Sequence, residues 1–285
     1  MCSASLIGLR VEVTFHWGFW VRAPFTSKYQ ESLPIPPPTT LIGALVEPLL
    51  ALGYIEGVKG ELIVKEEVGD RKKKNLMSPI ALFKDIIPST SLYFKSKDIK
   101  GLRYEDINKY VTLHYHGIHR EEPGKRRYAM EYRTGALHVG KVSFPSGEGI
   151  ICYLINEGDA KKLMGMKWRD KVKSAAYNIT RVGSKESIVN VERVDIIENV
   201  REIKIPSEIE TKCYIPLKLI DQRSLEGAYY YIERFWMYGW SREEEATYED
   251  FVVPGVRLPI YSDCIKVRLI DGKAYELCPK EVLCF

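Results

Sequence analysis

Four prolines within five residues, Pro34, Pro36, Pro37 and Pro38, constrain this chain more than any other feature of its sequence. Each fixes its own φ and turns the residue before it away from helix, so the chain must reach Thr39 as a stiff, extended segment. Thr39 or Thr40 is placed to accept a hydrogen bond from a free amide of the next turn, as an N-cap does. Leu41, Leu45 and Leu49 then recur every four residues, and Ile42 and Leu52 widen the stripe, which predicts a helix facing a core. Pro48 is expected to kink or end the helix near Glu47, with Gly53 as the stop. Gly43 has no side chain one turn in, so another backbone can come close. A helix start with free amides also suits a phosphate, although the same residues describe a plain packed helix behind a rigid loop.

Upstream, Leu9, Val11, Val13 and Phe15 alternate with Arg10, Glu12 and Thr14, which predicts a strand over Leu6 to Phe15. His16, Trp17, Gly18, Phe19 and Trp20 follow at once, then Arg22, Lys28 and Tyr29. Bases stack on aromatic faces while cations meet phosphates, so this run reads either as a single-strand RNA surface or as aromatics filling the core at a strand end. Downstream, Glu61 to Glu67 is expected as the second strand. Val68 to Lys125 is the least regular region and reads as an insertion, with the basic run Arg71, Lys72, Lys73, Lys74 as a solvated loop. A strand from Val111 to His116, then Arg120, Lys125, Arg126 and Arg127 around Pro123-Gly124, then a return strand from Arg127 to Val142, describe a hairpin or finger with a basic tip.

Val142 to Phe144, the Pro145-Ser146-Gly147 turn and Ile150 to Ile155 read as a turn into a buried strand. Asp159 is expected to cap one helix running to about Tyr177, with Leu163, Met164, Trp168, Val172, Ala175 and Ala176 on or near one face. Thr180 to Ser187, TRVGSKES, forms the loop before a strand from Ile188 to Ile197. It offers the Gly183 amide and the Ser184 and Ser187 hydroxyls beside Arg181 and Lys185, a set suited to a phosphate or a splayed base, or simply a solvent-exposed turn. Beyond Ile205-Pro206-Ser207 the texture changes. Tyr214 to Ile220, Tyr229 to Tyr238, Phe251 to Tyr261, Ile265 to Ile270 and Ala274 to Cys278 predict a small β-rich part, residues 201–285, with Asp271-Gly272 as a hairpin turn. Residues 1–200 follow the order strand, helix, strand, insertion, strand, helix, strand. That order predicts an α+β, ferredoxin-like or RRM-like core with an insertion at about 68–140.

Several classes drop out. No Walker loop, G-x-S-x-G, H-E-x-x-H or paired-carboxylate motif is present. His114, His116 and His119 form an H-x-H-x-x-H set that lacks a matching carboxylate or cysteine, so they read as polar or RNA-contacting residues on the finger, and no metal or cofactor is expected. A net charge of +4 is too mild to indicate nucleic acid by itself, which throws the weight onto local clusters. The six cysteines, Cys2, Cys152, Cys213, Cys264, Cys278 and Cys284, are scattered and suit free thiols, with a bridge among the last three left open. With no signal peptide and no apolar run long enough to span a bilayer, a cytoplasmic protein without membrane contact is expected. Abundant Lys and Glu, with Gln30 and Gln222 the only glutamines, suit a thermophile.

A first strand with a Trp-Gly step, a loop and the P-x-T-x-L-x-G-x-L helix start at Pro37 to Leu45 resembles the CRISPR-associated RAMP proteins, most of all their family five. Arg181-Val182-Gly183-Ser184-Lys185 resembles a segment of the archaeal, type I-A branch. The resemblance implies an RRM-like core with a β-hairpin thumb. It implies binding of the 5′ repeat handle of crRNA, and packing against the backbone RAMP subunit and the large subunit of an antiviral Cascade, with target DNA as a further allowed partner. RNA-contacting residues are then expected among His16, Trp17, Trp20, Arg22, Lys28, Tyr29, Thr39, Thr40, Gly43, His114, His116, Arg120, Lys125, Arg126, Arg127, Arg181, Gly183, Ser184 and Lys185. The alternative is a metal-independent endoribonuclease that processes crRNA precursors, with its base among His114, His116, Lys125 and Tyr128.

Overall fold

Strand β1 runs over Leu6–Phe15, as its alternation predicts, and the fold is built outward from it. The computed structural model describes residues 5–23, 29–55, 63–68, 71–76, 79–95, 99, 101–112, 134–225, 229–237, 247–257 and 263–285. Helix α1 (Pro38–Ala51), strand β2 (Ser89–Phe94), strand β3 (Gly147–Asn156), helices α2 (Glu157–Met164) and α3 (Trp168–Tyr177) and strand β4 (Val189–Ile197) complete a four-stranded sheet with helices on one face. The sheet order is β2-β3-β1-β4, and all neighbours are antiparallel.

The odd residues of β1, from Ile7 to Phe15, join Leu41, Ile42, Leu45 and Leu49 of α1 and Trp168, Val172 and Ala175 of α3 in the main core. Each leucine buried there contributes on the order of 2 kcal/mol. The opposite face is also covered. Tyr93 of β2 and Ile150, Cys152 and Leu154 of β3 pack with Cys213, Leu277 and Leu283 from the C-terminal part. Arg10 crosses that interface, where its Nε donates to Glu281 Oε1 at 2.9 Å, and the Tyr93 hydroxyl donates to the same oxygen at 2.5 Å. The C-terminal part also sends Tyr214, Phe235, Phe251 and Val253 into the main core.

Several expectations are corrected. The N-cap of α1 is Pro37, with no side-chain bond, because the Thr39 hydroxyl donates instead to the Trp236 carbonyl at 3.2 Å. The helix continues through Pro48 to Ala51, and Leu52, read as part of the apolar stripe, is 41% exposed. The second strand of the sheet is Ser89–Phe94 rather than Glu61 to Glu67. Ile63–Val68 pairs instead with Arg71–Leu76, so the basic run lies on a strand and not in a loop. The single helix expected from Asp159 is two, α2 capped by Asn156 and ended at Gly165 with φ +79°. Leu102–Thr112 pairs antiparallel with Thr134–Ser143, and the tip between them lies outside the described residues.

In the C-terminal part, Tyr230–Trp236, Ile265–Leu269 and Ala274–Cys278 match expected strands within two residues, whereas the strand expected over Phe251 to Tyr261 runs over Tyr248–Pro254. Tyr214 to Ile220 shortens to a strand at Ile215–Pro216 and a 3-10 turn at Leu217–Leu219. Asp271-Gly272 is a turn but not a hairpin. Ile265–Leu269 pairs with Ser207–Thr211, while Ala274–Cys278 pairs with Arg201–Ile203 and Glu281–Cys284. The described cysteines, Cys152, Cys213, Cys264, Cys278 and Cys284, are free thiols. Among the described residues, no helix is long and apolar enough to cross a membrane.

Candidate nucleic-acid interface

The aromatic run after β1 divides by side. Phe15 and Phe19 turn inward and meet Phe144 edge-on at ring-centroid distances of 6.1 Å each. His16 and Trp17 stay outside, and Trp17 is 52% exposed with its indole donating to the Glu186 carbonyl at 2.7 Å. Gly18 permits the division. Its φ is +107°, and a Cβ there would collide with the Val142 carbonyl, to which Phe19 N–H donates at 2.9 Å. Phe15 and Phe19 thus fill the core at the strand end, while His16 and Trp17 remain on the surface.

The loop from Thr180 to Ser187 is stitched to that strand end. Ser184 N–H donates to the Trp20 carbonyl at 3.0 Å, and Trp20 N–H returns a bond to Ser187 Oγ at 2.9 Å. Gly183 sits at φ +112°, where a Cβ would lie 2.7 Å from the Trp20 carbonyl oxygen. Ser184 Oγ donates to Glu186 at 2.9 Å, a bond that draws the Glu186 carboxyl below its usual range. The serine hydroxyls expected to meet a phosphate are therefore already bonded within the loop. Arg181 and Lys185 face solvent.

The proline segment is clamped from below. The buried Tyr214 hydroxyl donates to the Pro36 carbonyl at 3.3 Å, and the buried Tyr153 hydroxyl donates to the Leu41 carbonyl at 2.9 Å. The first turn of α1 offers few donors to an anion, since Pro38 has no N–H and Thr40 N–H is taken by the Pro37 carbonyl at 3.0 Å. What this end of α1 supplies is a rigid wall bearing Thr39, Thr40 and Gly43.

These three pieces enclose a cleft of about 980 Å³. Of the expected residues, Trp20, Arg22, Thr39, Thr40, Gly43, Arg181, Gly183 and Ser184 line it. His16, Trp17 and Lys185 lie outside its lining, and Tyr29 pairs through its backbone with His138. Lys28, His114, His116, Arg120, Lys125, Arg126, Arg127, His119 and Tyr128 lie outside the described residues. Sequence reasoning did not foresee Glu47, Trp236 and Tyr248 in the lining. Glu47 Oε1 stands 3.7 Å from Arg181 Nη2, and the Trp236 and Tyr248 rings lie 6.0 Å apart at 30°. The run Arg234-Phe235-Trp236-Met237 carries an aromatic signal, but on its own it describes only a strand. Among the described residues, no group of three or more His, Cys, Asp or Glu is placed to hold a metal. The cleft thus joins aromatic faces, hydroxyls and cations on a rigid frame, which suits a single strand of nucleic acid.

No family model matches the chain. Two proteins of Saccharolobus solfataricus, CRISPR-associated protein Cas5 3 and CRISPR system aCascade subunit Cas5 1, are each 26% identical over 275 residues, spanning 95% of this chain and 97% of theirs. A crystal structure of a CRISPR protein from Archaeoglobus fulgidus superposes with a TM-score of 0.58 at 21% identity over 98% of both chains, which shows a shared fold.

Proposed function

We propose that this chain, a homologue of the Saccharolobus Cas5 proteins, is the crRNA-binding subunit of an archaeal type I-A Cascade complex. In this reading it holds the 5′ repeat handle and caps the backbone filament against the large subunit in antiviral defence. The β2-β3-β1-β4 order supports a ferredoxin-like, RRM-like core in this reading. The pair Leu102–Thr112 and Thr134–Ser143 is then the stem of the thumb, within an insertion of residues 1–200 ahead of the β-rich 201–285. Cytoplasmic location and contact with target DNA go with the same reading.

The observation that carries the proposal is the cleft, which gathers Trp20, Arg22, Thr39, Thr40 and Arg181 from three separate segments. An RRM commonly binds RNA on its open sheet face. Here that face is packed against Cys213, Leu277 and Leu283, which supports the cleft at the strand ends, rather than the sheet face, as an RNA surface. The protein holds its guide by shape and phosphates, while base pairing elsewhere reads the target.

The test is binding of a handle-bearing guide against a scrambled RNA of equal length, across a salt series. Tighter binding of the handle, weakening with salt as counterions are released, is expected. Equal affinity for the two RNAs would refute handle recognition. Incubating the protein with repeat RNA, with and without chelator, tests the endoribonuclease alternative. Intact RNA is expected, and cleavage at one site that His114→Ala abolishes would favour the enzyme.

A further inference from the structure

We propose that Glu47 and Arg181 read a guanine base drawn into the cleft. The inference rests on the RNA-binding reading and adds a base preference to it. Glu47 lies in the third turn of α1 and Arg181 on the loop across the cleft, with side chains 53% and 46% exposed. Their 3.7 Å separation is an ion pair longer than a hydrogen bond. A pair this exposed contributes little to folding, so the fold does not account for it.

A carboxylate on the wall of an RNA cleft is a liability toward phosphate, which it repels. Toward a base edge it is an asset, because an ionised carboxylate only accepts hydrogen bonds and bases carry donors. Guanine alone presents two neighbouring donors, N1–H and the 2-amino group, that match the two oxygens of Glu47. Its O6 and N7 acceptors adjoin them and match the fork of Arg181. O6 directly follows N1–H around the base, so a carboxylate and a guanidinium standing side by side span one guanine. Adenine and cytosine offer a carboxylate one amino group each, and uracil a single ring N–H.

The surroundings suit a base. Gly43, one turn before Glu47, lines the same wall with the Ile80 side chain packed against it, which gives the base an apolar flank. The Trp236 and Tyr248 rings on the C-terminal strands provide faces on which a base stacks. The bare ion pair opens to admit the base, and each partner exchanges one long contact for hydrogen bonds to a neutral edge.

The experiment measures affinity for oligouridine RNAs carrying one guanosine, or adenosine, cytidine or inosine in its place, with the whole protein and with its Glu47→Gln variant. The guanosine strand is expected to bind about 5- to 150-fold tighter than the adenosine strand. Inosine, which lacks the 2-amino group, should fall between them. Glu47→Gln should compress the spread to within about threefold while binding to plain oligouridine holds or strengthens, since a charge that repels phosphate is gone. Equal affinity for all four strands would overturn the base-reading role and leave the RNA-binding reading intact. Spread that survives in Glu47→Gln would remove Glu47 from that role. Failure to bind any strand would overturn the base-reading role, and failure to bind the handle-bearing guide as well would overturn the RNA-binding reading. Glu47 is exposed, and an unchanged thermal midpoint in the variant excludes misfolding as the cause.

Discussion

Trp17 and Glu12 sit near each other in sequence and do opposite work. Trp17 is 52% exposed and takes no part in the buried core, so its ring is free to stack on a base beside the cleft. Trp17→Ala is expected to weaken single-strand RNA binding by about 1–3 kcal/mol while changing folding stability by less than about 1 kcal/mol. Filter binding and thermal unfolding of the same preparation measure the two. Glu12, largely buried, accepts from Lys95 Nζ at 2.6 Å and also pairs with Arg10, and these bonds hold its carboxyl below the usual carboxylate range. A carboxyl whose pKa falls on folding stabilises the protein above its unfolded value, near 4.3, and that contribution disappears as pH drops through the folded value. Glu12→Gln should therefore cost about 1 kcal/mol at pH 7 and progressively less below pH 4. Urea midpoints of both proteins at pH 7 and pH 3 give the comparison, and a gap that does not narrow between the two would refute the linkage.

At the scale of elements, the break between α2 and α3 rests on Gly165. Its φ of +79° is open to glycine, and no heavy atom lies within 4 Å of where a Cβ would stand. Gly165→Ala therefore adds backbone strain without collision and is expected to cost about 1–3 kcal/mol while leaving RNA affinity unchanged. The break was not legible because Leu163, Met164, Trp168 and Val172 keep a helical spacing across it. The strands show when burial can be read. β1 announced itself because its second face, though covered, is built from Arg10 and Glu12, which preserved the alternation. β2 is not legible because its polar Thr90 and Ser91 are as buried as Leu92, Tyr93 and Phe94, so polarity marks neither face. The site divides in the same way. Its residues just after β1, on α1 and on the 180–187 loop lie in local motifs. Trp236 meets Thr39 across 197 residues, a juxtaposition no local pattern encodes.

At the scale of the whole molecule, the core packing runs across the change of texture near residue 200. Phe235, Phe251 and Tyr214 complete the core above α1, and Leu277 and Leu283 cover β2 and β3 from the other side. A fragment of residues 1–200 would expose Tyr93, Ile150 and Leu154, so it is expected to lose fixed packing. Near-UV circular dichroism and dye binding of the fragment test this, and a sharp thermal transition would refute it. The same arrangement governs how quickly the chain reaches its native state. Arg10 and Glu281 bond across 271 residues, and β1 pairs with β3 from Leu6↔Asn156 to Phe15↔Gly147. Contacts so remote must be found after much of the chain has lost its freedom, which makes folding slow. Until Glu281 arrives, Arg10 has only Glu12 and Asp195 as counter-charges and the apolar face of β2 and β3 stays open to other chains. The interval before that closure is when this protein is most exposed to aggregation, and folding help is most valuable to it there.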